Sequence, residues 1–122
     1  MAAERTAADE HAEDGAALVA PPAEEMLDLT RLEPFLRARL AHAEGPLSIF
    51  RFAGGHANLT YLLRFGAGEE YILRRPPLGP IPPGAHDMRR EHSVLSRLHP
   101  AFTLAPSSLL LCEDDSLIGA IF

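Results

Sequence analysis

Two adjacent glycines lie in a short polar break between two apolar runs, in the stretch Phe52-Ala-Gly-Gly-His-Ala-Asn-Leu-Thr-Tyr61. This composition predicts a strand, a glycine turn and a second strand. Paired glycines allow positive φ angles and let the backbone come close to a ligand. Successive N–H groups in such a turn can converge on one anion, usually a phosphate. The alternative is an ordinary hairpin with a slightly long loop, because Gly-Gly also marks many tight turns.

A second candidate for chemistry is a carboxylate on a predicted helix over residues 87–99, which Asp87 would cap. Glu91 falls in the apolar arc of this helix, whose other members are Met88, Val94, Leu95 and Leu98. Glutamate is seldom buried without a partner, so the position predicts a salt bridge to a basic residue on the strand beneath the helix. The alternative is that Glu91 lies at a loose helix edge and reaches water.

Three short strands are predicted around these groups, at about 47–53, 58–65 and 69–75. Side chains alternate between the two faces of a strand. In the third strand, Ile72 and Arg74 therefore share one face, and the other face carries Tyr71, Leu73 and Arg75. Arg74 and Arg75 are thus expected on opposite faces of the sheet.

The remaining segments complete an α+β unit. Capping-box spacing in Thr30-Arg-Leu-Glu33, followed by a leucine stripe, predicts a helix over 30–43. Five prolines within residues 76–84 exclude a helix or a paired strand and predict a stiff connector. A proline-rich ligand for a partner domain is the alternative for that connector. Two further strands are predicted at 107–113 and 117–122.

Composition limits the class of protein. A length of 122 residues suits one domain, and 47% hydrophobic with 23% charged residues is typical of a globular chain. The formal net charge of −6 argues against a nucleic-acid binder. Seven acids against one base in residues 1–27, without a sustained apolar face, predict a disordered acidic tail.

The single cysteine, Cys112, excludes an internal disulfide and a cysteine metal cluster, and it is expected to be a buried, inert thiol. No apolar run approaches the roughly 18 residues of a membrane-spanning helix. The N-terminus also lacks the basic and apolar regions of a signal peptide. A cytoplasmic protein without a membrane partner is therefore expected.

Four segments, in this order, resemble one family of enzymes. They are Phe52-Ala-Gly-Gly-His-Ala-Asn-Leu-Thr-Tyr61, Tyr71-Ile-Leu-Arg-Arg-Pro-Pro77, Ala85-His-Asp-Met-Arg-Arg-Glu91 and Leu111-Cys-Glu-Asp-Asp115. A glycine loop, a strand cation and a helix glutamate also follow one another in kinase small lobes. Over about residues 28–122 the chain resembles the aminoglycoside phosphotransferase (choline-kinase-like) family. The nearest group is the bacterial phosphotransferase family proteins related to the kinase-like domain fused to some acyl-CoA dehydrogenases.

The resemblance implies a kinase-like N-terminal lobe over residues 28–122, truncated before the hinge and the C-terminal lobe. The implied fold is α+β, a five-stranded antiparallel sheet with a packed helix, preceded by the N-terminal helix and the disordered tail. The implied cofactor is ATP with Mg²⁺, and the implied partners are a nucleotide and a small-molecule hydroxyl acceptor. An exposed sheet face would in addition favour self-association.

The resemblance also assigns the site residues. The nucleotide-positioning loop corresponds to Gly54, Gly55, His56, Ala57 and Asn58. Ile72 would line the adenine pocket, Arg74 would be the phosphate-binding cation, and Glu91 would hold that cation in place. The family usually has lysine where Arg74 stands, and an arginine binds carboxylate or phosphate as a bidentate fork. Arg75 is the competing candidate, but strand alternation places it on the opposite face.

No catalytic residue and no metal site is assigned within these residues. In the family, a His-Gly-Asp-type loop and a metal-binding Asp come from the large lobe, so whether the chain is an enzyme is left open. The expected function is the ATP-binding small lobe of a kinase that transfers the γ-phosphate to a small-molecule hydroxyl, inactive as this fragment. The alternative is a non-catalytic nucleotide-sensing or interaction module that pairs with a separate large lobe. The phosphate acceptor is left undetermined.

Overall fold

The computed structural model describes residues 2–5, 17–53, 58–66, 68–104 and 106–122. In chain order the elements are strands β1 (Ala2–Arg5) and β2 (Leu18–Val19), helix α1 (Leu29–Arg39), strands β3 (Leu47–Phe52), β4 (Leu59–Phe65) and β5 (Glu69–Arg75), helix α2 (Met88–Ala101) and strand β6 (Ser108–Leu111). A 3₁₀ turn at Ala23–Glu25 precedes α1. The chain is thus a mixed α/β unit with an antiparallel sheet and two helices.

The sheet has the strand order β2-β3-β4-β5-β1-β6, and its neighbouring strands are antiparallel. Strands predicted at 47–53, 58–65 and 69–75 are confirmed as β3, β4 and β5, and the strand predicted at 107–113 is confirmed in shorter form as β6. The register of the central strands aligns Phe50, Leu62 and Ile72, and it pairs Thr60 with Arg74. This register fixes which side chains share a face of the sheet.

The strand predicted at 117–122 is wrong. Residues 115–120 form turns and bends, in which the Asp114 carboxylate accepts a hydrogen bond from the Ser116 N–H at 3.0 Å. Pairing is confined to Phe122, whose N–H donates to the Cys112 carbonyl at 3.0 Å. Leu117 and Phe122 are buried in the core. The apolar pattern of this segment therefore reflects burial in the core and not pairing as a β-strand.

The helix predicted over 30–43 with a Thr30 cap is not seen in that form. Asp28 is the N-cap of α1, because its carboxylate accepts a hydrogen bond from the Thr30 N–H at 3.0 Å. Glu33 pairs instead with Arg37, at 3.4 Å. The helix ends at Arg39 with Leu40 as its C-cap, before the predicted end at residue 43.

Two apolar clusters lie on the two faces of the sheet. The larger cluster joins Leu32 and Leu36 of α1, both 0% exposed, to one face of β4 and β5. The sheet residues of that face are Leu59, Tyr61, Leu63, Phe65, Tyr71 and Leu73. On the other face Phe52, Leu62 and Ile72 form a smaller buried cluster.

The exposed sheet face that was expected to favour self-association is not found, since residues on both faces of β4 and β5 are buried. Large apolar side chains that are exposed include several on and after α2. These are Val94, Leu98, Phe102, Leu104 and Leu109. Self-association itself stays a prediction.

Part of the predicted acidic tail is among the described residues. Strand β2 pairs with β3, and the Tyr61 hydroxyl donates to the Glu25 carbonyl at 2.6 Å. The Glu25 carboxylate also lies 3.3 Å from Nε of Arg51, a residue that is 7% exposed. Residues 17–27 therefore contribute contacts to the sheet, and residues 6–16 lie outside the described part of the chain.

Gly45 is the position where the fold depends most directly on glycine. Its φ is +81°, and a Cβ there would lie 2.9 Å from Cα of Gly66 in the turn between β4 and β5. We expect Gly45→Ala to lower the free energy of unfolding by about 2 kcal/mol or more, since the left-handed penalty of about 1–2 kcal/mol adds to a backbone clash. Urea unfolding measures this difference.

Two other glycines provide the controls for that prediction. Gly79 has φ +91°, and a Cβ there would have no neighbour within 4 Å, so Gly79→Ala measures the conformational penalty alone. The φ of Gly68 is outside the left-handed range, and a Cβ there would have no neighbour within 4 Å, so Gly68→Ala should be near neutral. Equal losses for Gly45→Ala and Gly79→Ala would contradict the close approach of the two turns.

Candidate functional site

Arg74 and Glu91 meet, as the salt-bridge prediction requires. Nη1 of Arg74 donates to Oε1 of Glu91 at 2.8 Å. The arginine side chain is 32% exposed and the glutamate side chain 18% exposed, so the pair is partly shielded from water and still reachable from solvent. Such a charge-assisted contact fixes the guanidinium plane more firmly than a fully solvated pair would.

The start of α2 places Glu91. The Asp87 carboxylate caps the helix by accepting hydrogen bonds from the Arg89 and Arg90 N–H groups, at 3.0 and 3.2 Å. The Asp87 carbonyl then accepts from the Glu91 N–H at 3.1 Å, which closes the first turn. Glu91 is thereby held one turn into α2, with its carboxylate directed at β5.

The predicted apolar arc of this helix is only partly right. Met88 is buried and joins the larger cluster, but Val94 is 53% exposed and Leu98 is 43% exposed. The reason is that α2 lies against β6 and β1 at one end of the sheet and leaves its later turns uncovered. Glu91 therefore faces the sheet, whereas apolar residues further along its arc face solvent.

Arg74 has hydrogen-bonding capacity that the described residues do not use. Its Nε is buried and makes no hydrogen bond with the described part of the chain. A buried donor left unpaired costs about 1–3 kcal/mol, and an incoming anion oxygen would remove that cost. The arrangement suits a cation that holds one carboxylate of the protein and one oxygen of a ligand.

Ile72 lies on the same face as Arg74, two residues earlier in β5. It is 4% exposed and packs with Phe52 and Leu62, with Leu18 and Phe50 against the same cluster. The apolar surface beside the cation is therefore covered in this structure. Leu18 of β2, which pairs with Phe52, is one of the residues that cover it.

The predicted loop is only partly described. Gly54, Gly55, His56 and Ala57 lie outside the described residues, and Asn58 is half-buried at the start of β4. Oδ1 of Asn58 lies 2.8 Å from Nδ1 of His86. His86 did not figure among the predicted site residues. Its position beside the helix cap in Ala85-His-Asp87 is the one sequence signal that could have indicated it.

Arg75 lies on the opposite face, which confirms the alternation argument. It is 8% exposed, and its Nη1 donates to the Ile118 carbonyl at 3.0 Å, which holds the turn after β6 against β5. Burial lowers the pKa of Arg75, while nearby Tyr61 and Glu25 act in the other direction. Arg75 therefore stabilises the fold and is turned away from Arg74.

Metal and membrane sites can be addressed only where the chain is described. No group of three His, Cys, Asp or Glu side chains in residues 17–53, 58–66, 68–104 and 106–122 could hold a metal ion. Within the same residues, neither helix combines the length and the apolar character that a bilayer crossing requires.

Cys112 is a further nucleophile to consider. It is 3% exposed, and burial raises the pKa of its thiol. We expect iodoacetamide at pH 8 to alkylate native Cys112 at least tenfold more slowly than the urea-unfolded chain, because the thiolate is the reactive form. Mass spectrometry of timed samples measures this ratio. Equal rates in the two states would show that the thiol is accessible.

Comparison with known proteins gives a family match and several relatives. Residues 48–122, more than half of the chain, match the phosphotransferase enzyme family. Acyl-CoA dehydrogenase family member 10 of Mus musculus is 38% identical over 92 residues, which is 75% of this chain and 8% of that protein. Acyl-CoA dehydrogenase family member 11 is 41% identical over 78 residues in Gallus gallus, 64% of this chain and 10% of that protein. In Homo sapiens it is 34% identical over 99 residues, 78% of this chain and 13% of that protein.

The chain thus spans about a tenth of the length of these curated relatives. They are animal proteins, so the bacterial grouping stays a prediction. No solved structure matches the chain significantly. The family match and the paired Arg74 and Glu91 agree with each other, and the chain belongs to the phosphotransferase enzyme family.

Proposed function

We propose that this chain is the ATP-binding small lobe of a kinase that transfers the γ-phosphate of Mg·ATP to a hydroxyl group of a small molecule. The observation that carries the proposal is the 2.8 Å contact between Arg74 and Glu91. In kinase-like phosphotransferases a strand cation, held by a helix glutamate, binds the nucleotide phosphates. The family match over residues 48–122 supports the same assignment.

The charge arrangement suits a phosphate better than a second carboxylate of the protein. Glu91 occupies one edge of the guanidinium, and the buried Nε of Arg74 makes no hydrogen bond with the described residues. The planar guanidinium of an arginine can donate to two oxygen groups at once in a fixed geometry. The compact ammonium of a lysine imposes less geometric selectivity. Arg74 would therefore hold a phosphate oxygen of ATP while Glu91 keeps the guanidinium in place.

The other proposed contacts lie on the same side of the sheet. Ile72 would meet the adenine, which requires that the covered cluster around it opens to admit the base. The loop of residues 54–58 would lie over the phosphates, and Asn58 marks its described end. When bound, Mg·ATP supplies the phosphoryl group. The residues of this chain bind and orient the nucleotide, and the acceptor-orienting aspartate would lie in a large lobe.

The acceptor class and the location are also part of the proposal. The names of the relatives favour a hydroxyl carried on an acyl-CoA over the antibiotic, choline-like and homoserine-like acceptors of the wider family. A cytoplasmic location rests on the sequence features given above. The alternative function, a non-catalytic nucleotide-sensing or interaction module, shares the nucleotide site and differs in needing no acceptor.

Titration of the complete chain with Mg·ATP tests the nucleotide site. We expect weak binding, with a Kd of about 1 mM, equivalent to roughly −4 kcal/mol, because these 122 residues would supply only one side of the proposed cleft. Isotope-edited NMR should show shifts at Arg74 and Glu91 with ATP and inorganic triphosphate, and smaller ones with adenosine. Absence of any shift at these two residues, up to saturating nucleotide, would contradict the proposal.

A further inference from the structure

One contact beside the proposed nucleotide site joins residues that are far apart in the sequence. Nδ1 of His86 lies 2.8 Å from Oδ1 of Asn58, and both residues are partly buried. An amide oxygen only accepts hydrogen bonds, so Nδ1 carries the proton in this contact and Nε2 is the acceptor nitrogen of the neutral ring. The imidazole therefore donates to the residue that ends the proposed phosphate loop.

The backbone of His86 is in a costly conformation. Its φ is +52°, and among the described residues only His42, at +56°, is another non-glycine residue with positive φ. A left-handed conformation is unfavourable for an ordinary L-residue and persists where the surroundings require it. The turn around His86 is held by the Ala85 N–H, which donates to the Pro82 carbonyl at 3.1 Å, and by Arg90, which donates to the Gly84 carbonyl at 2.7 Å.

The contact also links the helix that carries Glu91 to the strand that pairs with the strand of Arg74. His86 immediately precedes Asp87, the cap that fixes the first turn of α2 and, with it, Glu91. Glu91 binds Arg74 on β5, and Arg74 is paired across the sheet with Thr60, two residues after Asn58. The hydrogen bond from His86 to Asn58 thus connects the start of α2 to the start of β4 in addition to the connection that the Arg74–Glu91 pair makes through β5.

We infer that His86 is a positioning residue for the nucleotide site. It holds Asn58 at a fixed distance from the Arg74–Glu91 pair, so that the end of the loop and the phosphate-binding cation meet a nucleoside triphosphate together. The inference rests on the proposed function for its ligand, and on the contact between His86 and Asn58 for its geometry. A merely structural role for His86 would affect folding and leave nucleotide affinity unchanged.

Three substitutions separate these roles. His86→Gly removes the imidazole and relieves the left-handed strain, and this relief offsets the lost hydrogen bond and the greater freedom of the unfolded chain, so the variant should remain folded. Mg·ATP affinity should nevertheless fall by about threefold to tenfold, the range expected for one lost hydrogen bond. His86→Asn tolerates the same φ and keeps an amide donor, so it should recover part of the affinity. His42→Gly, at the exposed left-handed histidine after α1, is the matched control and should leave the Kd unchanged.

A double-mutant cycle with Asn58→Ala completes the test. The losses in affinity from His86→Gly and Asn58→Ala should not multiply, because each removes the same contact. An unchanged Kd in His86→Gly, a loss no larger than that of His42→Gly, or multiplicative losses would each overturn the inference. If wild type fails to bind Mg·ATP, the proposed function fails separately. Urea unfolding of wild type, His86→Gly, Asn58→Ala and the double variant then tests the contact between His86 and Asn58. Additive changes in the free energy of unfolding would show that the two side chains do not interact.

Discussion

Replacing Arg74 with methionine is expected to abolish measurable Mg·ATP binding while the chain remains folded. Methionine keeps the length of the aliphatic stem and removes the guanidinium that contacts Glu91 at 2.8 Å. The loss should exceed tenfold in Kd, since a charge-assisted contact to a phosphate is worth about 1.5–3 kcal/mol. Calorimetric titration of the variant beside the wild type, at equal ionic strength, measures the change.

A neighbouring ion pair supplies a closely matched control. Arg64 binds Glu70 at 2.9 Å, and their side chains are 36% and 14% exposed, close to 32% and 18% for Arg74 and Glu91. Arg64 lies on the same face of the sheet, at the opposite end of β4, so Arg64→Met removes an equivalent charge away from the site. Equal losses of affinity in the two variants would mean that net charge, and not the placement of Arg74, governs nucleotide binding.

The glutamate should show a different balance between stability and binding. Arg74→Met leaves the Glu91 carboxylate partly buried without its cation, which is unfavourable. The double variant Arg74→Met, Glu91→Leu replaces the pair by apolar groups, and we expect it to be at least as stable as wild type, because partly buried ion pairs often lose to apolar packing. It should still fail to bind Mg·ATP. This outcome separates what the pair does for the ligand from what it does for the fold.

The salt bridge could be predicted from the sequence because two local periodicities and the family resemblance agree on it. Strand alternation put Arg74 and Arg75 on opposite faces, and helical periodicity put Glu91 toward the sheet. Each periodicity can be read within one strand or one helix. A partly buried carboxylate then requires a nearby cation. The same reasoning overestimated the burial of Val94 and Leu98, because how far a sheet extends beneath a helix is not a local property.

Features that depend on the path of the chain were not predictable in this way. The contact between His86 and Asn58 requires the proline-rich connector to return beside the start of β4, which no spacing rule gives. The pairing of β2 with β3 joins an Ala-rich segment to the sheet and aligns Leu18 with Phe52 and Val19 with Arg51. The turn at 115–120 was misread as strand because buried turns and buried strands share an apolar composition.

Replacing Leu36 with alanine is expected to lower the free energy of unfolding by about 2–5 kcal/mol, the range for a buried leucine that leaves a cavity. Leu36 is 0% exposed and belongs to the larger cluster, which contains residues of α1 and of the sheet. Leu98→Ala makes the same chemical change at a residue that is 43% exposed, and it should cost less than about 1 kcal/mol. Urea unfolding at pH 7 measures the free energy of unfolding of both variants. Similar decreases in the two variants would show that Leu36 of α1 does not pack in the larger cluster. Because Arg74 projects from the opposite face of the sheet, Leu36→Ala should leave the Kd for Mg·ATP unchanged wherever the chain is fully folded.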